Sequence, residues 1–142
     1  MSWLLDTSVI SELAQARRDP GFQDWWNANK ETQGKLFLCA PVIAEIERWA
    51  RLPKLIAHRR RSILDWLDQE VLPTFGERIL AFDSEVARTW GVMTAEMPKN
   101  VSLSIVDSYI AAIAIHHDLA LVTQRTEEMG VFDKLKIFSP WS

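Results

Sequence analysis

Trp3-Leu4-Leu5-Asp6-Thr7-Ser8-Val9-Ile10-Ser11-Glu12-Leu13 passes from a strand into a helix across a single acid. Trp3 to Asp6 is a short apolar run that ends on a carboxylate. From Thr7 to Ala16 the apolar spacing changes, and Val9, Ile10 and Leu13 recur at the three- and four-residue intervals of a helix. The rest of the chain repeats this alternation. Pro20, in the turn Asp19-Pro20-Gly21, stands where it can open a helix over Gly21 to Asn29, and Gly34 breaks that helix. Leu36 to Cys39 reads as the second strand. Pro41 suits the first turn of the following helix, Pro41 to Arg51, which carries Val42, Ile43, Ile46 and Trp49. After Pro53 a longer helix is expected over Lys54 to Leu72. Arg78 to Phe82 is the third strand. Ser84 to Met97 is a helix capped by Ser84, and Ser104 to His117 is a helix apolar on nearly every side. Leu119 to Thr123 and Lys136 to Phe138 are the last strands.

Strands alternating with helices imply an α/β fold, a mostly parallel sheet covered on both faces. The chain has 142 residues, 48 % of them apolar, which suits a single domain over 1–142 with one core. There is no internal repeat or linker. No apolar run approaches the roughly 18 residues of a membrane span, and the start lacks the features of a signal peptide. The expected compartment is the cytoplasm. Cys39, the single cysteine, excludes an internal disulfide and reads as a small core residue. No Cys or His pair has zinc spacing. The seven tryptophans are many for this length and suggest association, since Trp is enriched at interfaces.

A formal net charge of −3 is not the footprint of a dedicated nucleic-acid binder, which is basic. A bound cation offsets this, because it supplies positive charge where it sits. The basic runs Arg17-Arg18 and His58-Arg59-Arg60-Arg61 read first as solvated helix faces.

In such sheets chemistry lies beyond the carboxyl ends of the strands, and acids recur there. Asp6 follows the first strand directly; it suits an N-cap for the next helix, and also a ligand. Asp107 is the only charge between Ser104 and His116. Ser104 and Asp107 fit a capping box. Against that reading, a carboxylate buried in so apolar a helix is costly unless paired or metal-bound. Glu45 and Glu47 border opposite edges of the apolar stripe on their helix, and periodicity does not separate them. Glu127 and Glu128 follow the fourth strand; adjacent glutamates in a loop are commonly surface charge, yet these lie at the same sheet edge as Asp6. Carboxylates from separate segments, with no His or Cys among them, suit Mg²⁺, which takes oxygen ligands and keeps several waters. Such a site can activate water for phosphodiester cleavage. Crowded acids repel, so Asp107→Asn is expected to leave the fold intact or to stabilise it.

These residues also resemble a known family. Trp3-Leu4-Leu5-Asp6-Thr7-Ser8-Val9-Ile10-Ser11-Glu12-Leu13 is similar to the LLDTNVISEL opening of PIN domains of the VapC and FitB toxin type. Leu38 to Ile46 resembles that family's LSxxTxxEL segment, which singles out Glu45 over Glu47. Asp107-Ser108-Tyr109-Ile110-Ala111-Ala112 resembles DxxIAA, Leu119 to Thr123 resembles LTLVT, and Ser139-Pro140-Trp141 resembles NPW. The resemblance implies a Rossmann-like sheet and a Mg²⁺- or Mn²⁺-dependent endoribonuclease acting as the toxin of a type II toxin–antitoxin pair. It further implies RNA as substrate, a cognate antitoxin and a homodimer. Asp6, Glu45 and Asp107 would be the metal ligands, and Thr7 or Ser8 would hold a carboxylate or a metal water. Where the family often reads VTRNxxDF, this chain reads Val122-Thr123-Gln124-Arg125-Thr126-Glu127-Glu128-Met129. Arg125 therefore replaces an Asn, and Glu128 stands at the fourth acid, where it is expected to face the cation.

Two other functions compete. One is a phosphatase or dehalogenase-like hydrolase with Asp6 as covalent nucleophile, although Ser8 stands where that class wants a second Asp. The other is a PIN scaffold that binds a partner and no longer cuts, which Arg125 prompts.

Overall fold

A computed structural model of the chain describes residues 1–32, 35–101 and 103–142; the break expected at Gly34 lies outside them. β1 (Trp3–Leu5) leads through Asp6 into α1 (Thr7–Leu13), followed by α2 (Pro20–Asn29), β2 (Leu36–Cys39) and α3 (Ala40–Ala50). α4 (Ala57–Trp66) and α5 (Leu72–Phe75) precede β3 (Ile79–Leu80), α6 (Ser84–Ala95) and α7 (Ile105–His116). The chain closes with β4 (Ala120–Val122), the one-turn α8 (Thr126–Met129) and β5 (Ile137–Phe138). The five strands lie in the order β3-β2-β1-β4-β5, all parallel. The chain first winds from β1 outward through β2 to β3, then returns to place β4 on the other side of β1. β1 and β4 therefore flank the topological switch point, where open parallel sheets leave a crevice at their carboxyl ends. Their register sets Leu5 opposite Val122, and the Asp6 N–H bonds the Val122 carbonyl at 3.1 Å.

The core forms where the sequence is most apolar. Leu4, Leu5, Leu38, Leu121 and Val122 from the strands are fully buried, as are Val42 and Ile46 of α3. α7 is buried on most sides, including Ile110, Ala111, Ala112, Ile113 and Ala114. Its small residues admit close neighbours, and α3, α6 and β4 all pack against it. No helix of the described residues is long and apolar enough to cross a membrane.

Two local expectations need correction. The helix predicted over Lys54 to Leu72 is interrupted by a turn of π-helix, Leu67–Val71, in which the Leu72 N–H reaches back five residues to the Leu67 carbonyl. Pro73 accounts for this. It has no N–H to offer and its ring would strike the carbonyl four residues earlier, so an unbroken α-helix cannot pass through it. At α6 the cap is Asp83, not Ser84: its carboxylate accepts from the Val86 N–H at 2.9 Å. Either residue type caps well, and here Asp83 holds the extended backbone the cap position needs.

The tryptophans are also read differently. All seven pack against the core, and none is among the large exposed apolar side chains, which are Met1, Ile56, Val92 and Ile105. Trp3 meets Trp25 edge-on at 5.8 Å and Phe138 at 5.1 Å, and Phe22 meets Trp141 at 5.0 Å. Aromatic pairs at such spacing add to the stabilisation from burial. Tryptophan content thus reports packing in this chain and does not by itself place an association surface. Trp141 is anchored through its Nε1–H to Glu12 at 2.9 Å, and the adjoining Ser142 backbone N–H donates to Asp19 at 2.9 Å. Gly21 lies against this tail, and a Cβ there would come within 2.7 Å of the Pro140 carbonyl.

Candidate metal centre

Asp6 and Asp107 come from opposite ends of the sequence and meet at the switch point. Asp6 is fully buried and Asp107 is 4 % exposed. The cap reading of Asp6 fails: it stands at the N-cap position of α1 but its side chain makes no capping bond. Its Oδ2 instead accepts from the Thr123 hydroxyl at 2.6 Å and from the Ser8 hydroxyl at 3.2 Å. Asp107 shares only half a capping box. Its N–H donates to Ser104 Oγ at 3.1 Å, while its carboxylate serves elsewhere.

That carboxylate grips Arg125. The guanidinium donates from Nη1 to Asp107 Oδ2 at 2.8 Å and from Nη2 to Oδ1 at 2.5 Å, the two-pronged geometry that suits a planar fork. The same Nη2 lies 3.4 Å from Asp6 Oδ2. Its bonds to Asp107, with the Asp6 charge close by, hold the guanidinium even more firmly protonated than usual. The backbone fixes this arrangement, because the Arg125 N–H donates to Thr123 Oγ1 at 3.0 Å. The Gln124 N–H likewise donates to Ser8 Oγ at 3.1 Å, which ties the loop after β4 to the start of α1.

Glu45 is the third acid nearby. It lies on α3, half-buried, and accepts from the Thr7 hydroxyl at 2.5 Å. Burial pushes its carboxyl above the usual range; the Thr7 hydrogen bond opposes that shift, and the Asp107 and Asp6 charges add to it. Glu47 goes the other way, pairing with Arg51 on the exposed face of α3 at 2.6 Å. Thr7 and Ser8, proposed from the resemblance as holders of a carboxylate or metal water, each hold a carboxylate. Among the described residues no three acids, histidines or cysteines converge closely enough to hold one ion as the side chains stand. Two acids close on the guanidinium, and Glu45 stands off on Thr7.

Glu128 does not join them. It and Glu127 are exposed in the first turn of α8 and make no hydrogen bond or ion pair with the cluster. The buried residue of that turn is Met129, so the helix directs Met129 into the core and leaves both glutamates outside. As the side chains stand, Glu128 is not bonded into the cluster it was expected to join. Thr123 was missed by reading acids alone, although it follows β4 as Asp6 follows β1. Cys39 is inert, as expected of a core thiol, its pKa pushed up to about 12 by burial. In the basic runs, Arg18 bonds the Leu13 carbonyl at 3.0 Å and Arg60 the Ala50 carbonyl at 3.1 Å. Arg17, Arg59 and Arg61 are exposed.

A parallel sheet that brings acids from the end of β1, from α3 and from α7 to its switch point belongs among Rossmann-like α/β proteins with chemistry at the strand ends. A family model described as PIN domain matches residues 3–128. The VapC ribonuclease Y4jK of Sinorhizobium fredii is 34 % identical over 141 residues, 97 % of this chain and 96 % of that protein. Toxin FitB of Neisseria gonorrhoeae is 30 % identical over 97 % of both chains. The crystal structure of FitAcB from Neisseria gonorrhoeae superposes with a TM-score of 0.85 at 29 % identity, covering 98 % of each chain. This chain belongs to the PIN domain family, alongside the VapC and FitB toxins.

Proposed function

We propose that this protein is an endoribonuclease dependent on Mg²⁺ or Mn²⁺ and the toxin of a type II toxin–antitoxin pair. One observation carries the reading: Asp6 and Asp107, both buried, face the two sides of a single positive charge at the switch point. Two buried carboxylates side by side need a counter-cation, and a divalent ion can serve as one. Asp6, Asp107 and Glu45 offer only oxygen donors, which suits a hard divalent ion. A bound divalent ion supplies an activated water and stabilises the leaving oxygen in phosphodiester cleavage.

The chain's own residues prepare the site. Thr123 and Ser8 hold Asp6 by Oδ2 and fix its orientation. Thr7 holds Glu45 at the rim, where it lines an open cleft with Ser11, Gln15, Gln124 and Arg125. An RNA strand enters from that open side. The relatives' names support the substrate and the role: one is a VapC ribonuclease and another a toxin. Association with an antitoxin is supported by the solved neighbour FitAB, which is bound to a DNA fragment. On this reading the protein works as a homodimer with its antitoxin.

The test is RNA degradation by purified protein with Mn²⁺, with chelator, and with Asp6→Asn. Cleavage is expected with Mn²⁺ alone and is lost in the variant. Cleavage that persists unchanged in chelator and in Asp6→Asn would refute the reading. The guanidinium between the acids also favours a second reading, a scaffold that binds a partner without cutting. Neither cleavage nor Mn²⁺ binding is expected of such a scaffold.

A further inference from the structure

We propose that Arg125 is a built-in counter-cation: its guanidinium occupies the divalent-ion position between Asp6 and Asp107, and a metal binds only by displacing it. This rests on the reading of those acids as cation ligands. Three carboxylates cluster here, two of them buried, and a buried anion must find a partner. Every oxygen the two aspartates direct to the centre is taken up by one side chain, with contacts to both oxygens of Asp107 and to both of Asp6. Thr123 and Ser8 complete Asp6. The guanidinium fills the space between the two carboxylates, so a second cation cannot bridge them while it stays there.

The guanidinium is nonetheless poised to leave. Its backbone is held by Thr123 at the start of α8, but its side chain is 36 % exposed while those of Asp6 and Asp107 are 0 % and 6 % exposed. The contact to Asp6 is long, 3.4 to 3.5 Å, so the tight part of the clamp is on Asp107 alone. Arg125 also lines the cleft with Glu45, so a displaced guanidinium moves into open space beside the site without unfolding anything. Arginine cannot give up its charge at physiological pH, so displacement is a competition between two cations. The consequence is a metal site kept stable when empty and weakened in affinity by its own occupant.

The experiment measures Mn²⁺ binding by calorimetry and melting in chelator for the wild type, Arg125→Gln and Arg125→Lys. Arg125→Gln is expected to bind Mn²⁺ at least about tenfold more tightly, equivalent to about 1.4 kcal/mol. The same variant melts lower than wild type in chelator and gains more from saturating Mn²⁺. Arg125→Lys keeps the charge and stays closer to wild type in both respects. A merely structural arginine would lower the melt without tightening Mn²⁺ binding, and that result overturns the proposal. Mn²⁺ affinity equal within about twofold in wild type and Arg125→Gln also overturns it. Should Arg125→Gln fold only in Mn²⁺, that is the expected result in its extreme form. Should it not fold at all, Arg125→Lys decides, and Mn²⁺ binding weaker than wild type then sinks the idea. RNA cleavage is scored separately: an inactive wild type that still shows the predicted Mn²⁺ pattern refutes the ribonuclease reading and leaves this one standing.

Discussion

Neutralising Asp107 separates a crowded-acid site from one already balanced by an arginine. Taken alone, three neighbouring carboxylates predict that Asp107→Asn relieves repulsion and stabilises the metal-free protein. The ion pair reverses the sign. Asn presents an amide N–H₂ where the second guanidinium donor now finds an oxygen, so one strong bond is lost and two donors face each other. Breaking a fully buried pair costs about 3–5 kcal/mol. Here the arginine is 36 % exposed, and solvent screening brings the loss well below that figure. Setting relief from Asp6 and Glu45 against it leaves a net destabilisation of about 1–2 kcal/mol. For a domain of this size each kcal/mol moves the melting temperature by about 4 °C, so a fall of about 4–8 °C is expected in chelator. Thermal unfolding followed by circular dichroism at neutral pH measures it. A variant that melts at or above wild type in chelator would show that Arg125 does not balance the cluster. In the companion RNA assay Asp107→Asn should lose cleavage by more than the 10- to 100-fold typical of disturbing a ligand's support.

Thr123→Val keeps the shape but removes a buried hydroxyl that donates to a buried charge, so it should lower stability by about 2 kcal/mol in a urea titration. Glu45 has a raised pKa in the folded state, so its protonated form contributes stability below about its ordinary value of 4.5 that is lost as pH rises through the folded pKa. Glu45→Gln should therefore melt higher than wild type at pH 7, with the gap closing on acidification toward pH 4. Melts across that range that stay parallel would remove the burial argument. Glu128→Gln, at an exposed position apart from the cluster, should leave cleavage at limiting Mn²⁺ within about twofold of wild type and the melt within about 0.5 kcal/mol. A large loss would return Glu128 to the site.

Much of this architecture is legible from the chain because local and global signals agree. β2 falls on Leu36–Cys39 as read, since a short apolar run bounded by a loop and a proline has few other uses. Asp6 and Asp107 stand out because a lone acid in an apolar context is expensive wherever it lies. The Ser104 cap was visible for the same reason, as a polar residue before an apolar run. What was not legible depends on distant partners. Periodicity gives Glu45 and Glu47 equal claims on the same helix; the family resemblance singles out Glu45, and in the fold Thr7, 38 residues away, bonds it. Arg125 could be placed beside the site by spacing, but its grip on Asp107 depends on side-chain geometry that no period encodes. Periodicity does not choose between Glu127 and Glu128 because α8 is a single turn, too short to say which way its residues face. The tryptophans could not locate an association surface, because composition counts residues without saying what they touch.

The site is drawn from residues 6, 45, 107, 123 and 125, three acids with a threonine and an arginine, and the strand that completes it, β4, slots between β1 and β5. During synthesis the first strand and its aspartate emerge early and must wait, with one edge unpaired, for nearly the whole chain to follow. Parallel pairings of such sequence separation form late, because loop closure precedes the contacts that reward it. A ribosome making this protein therefore carries an unfinished centre until residues past 125 are free to fold.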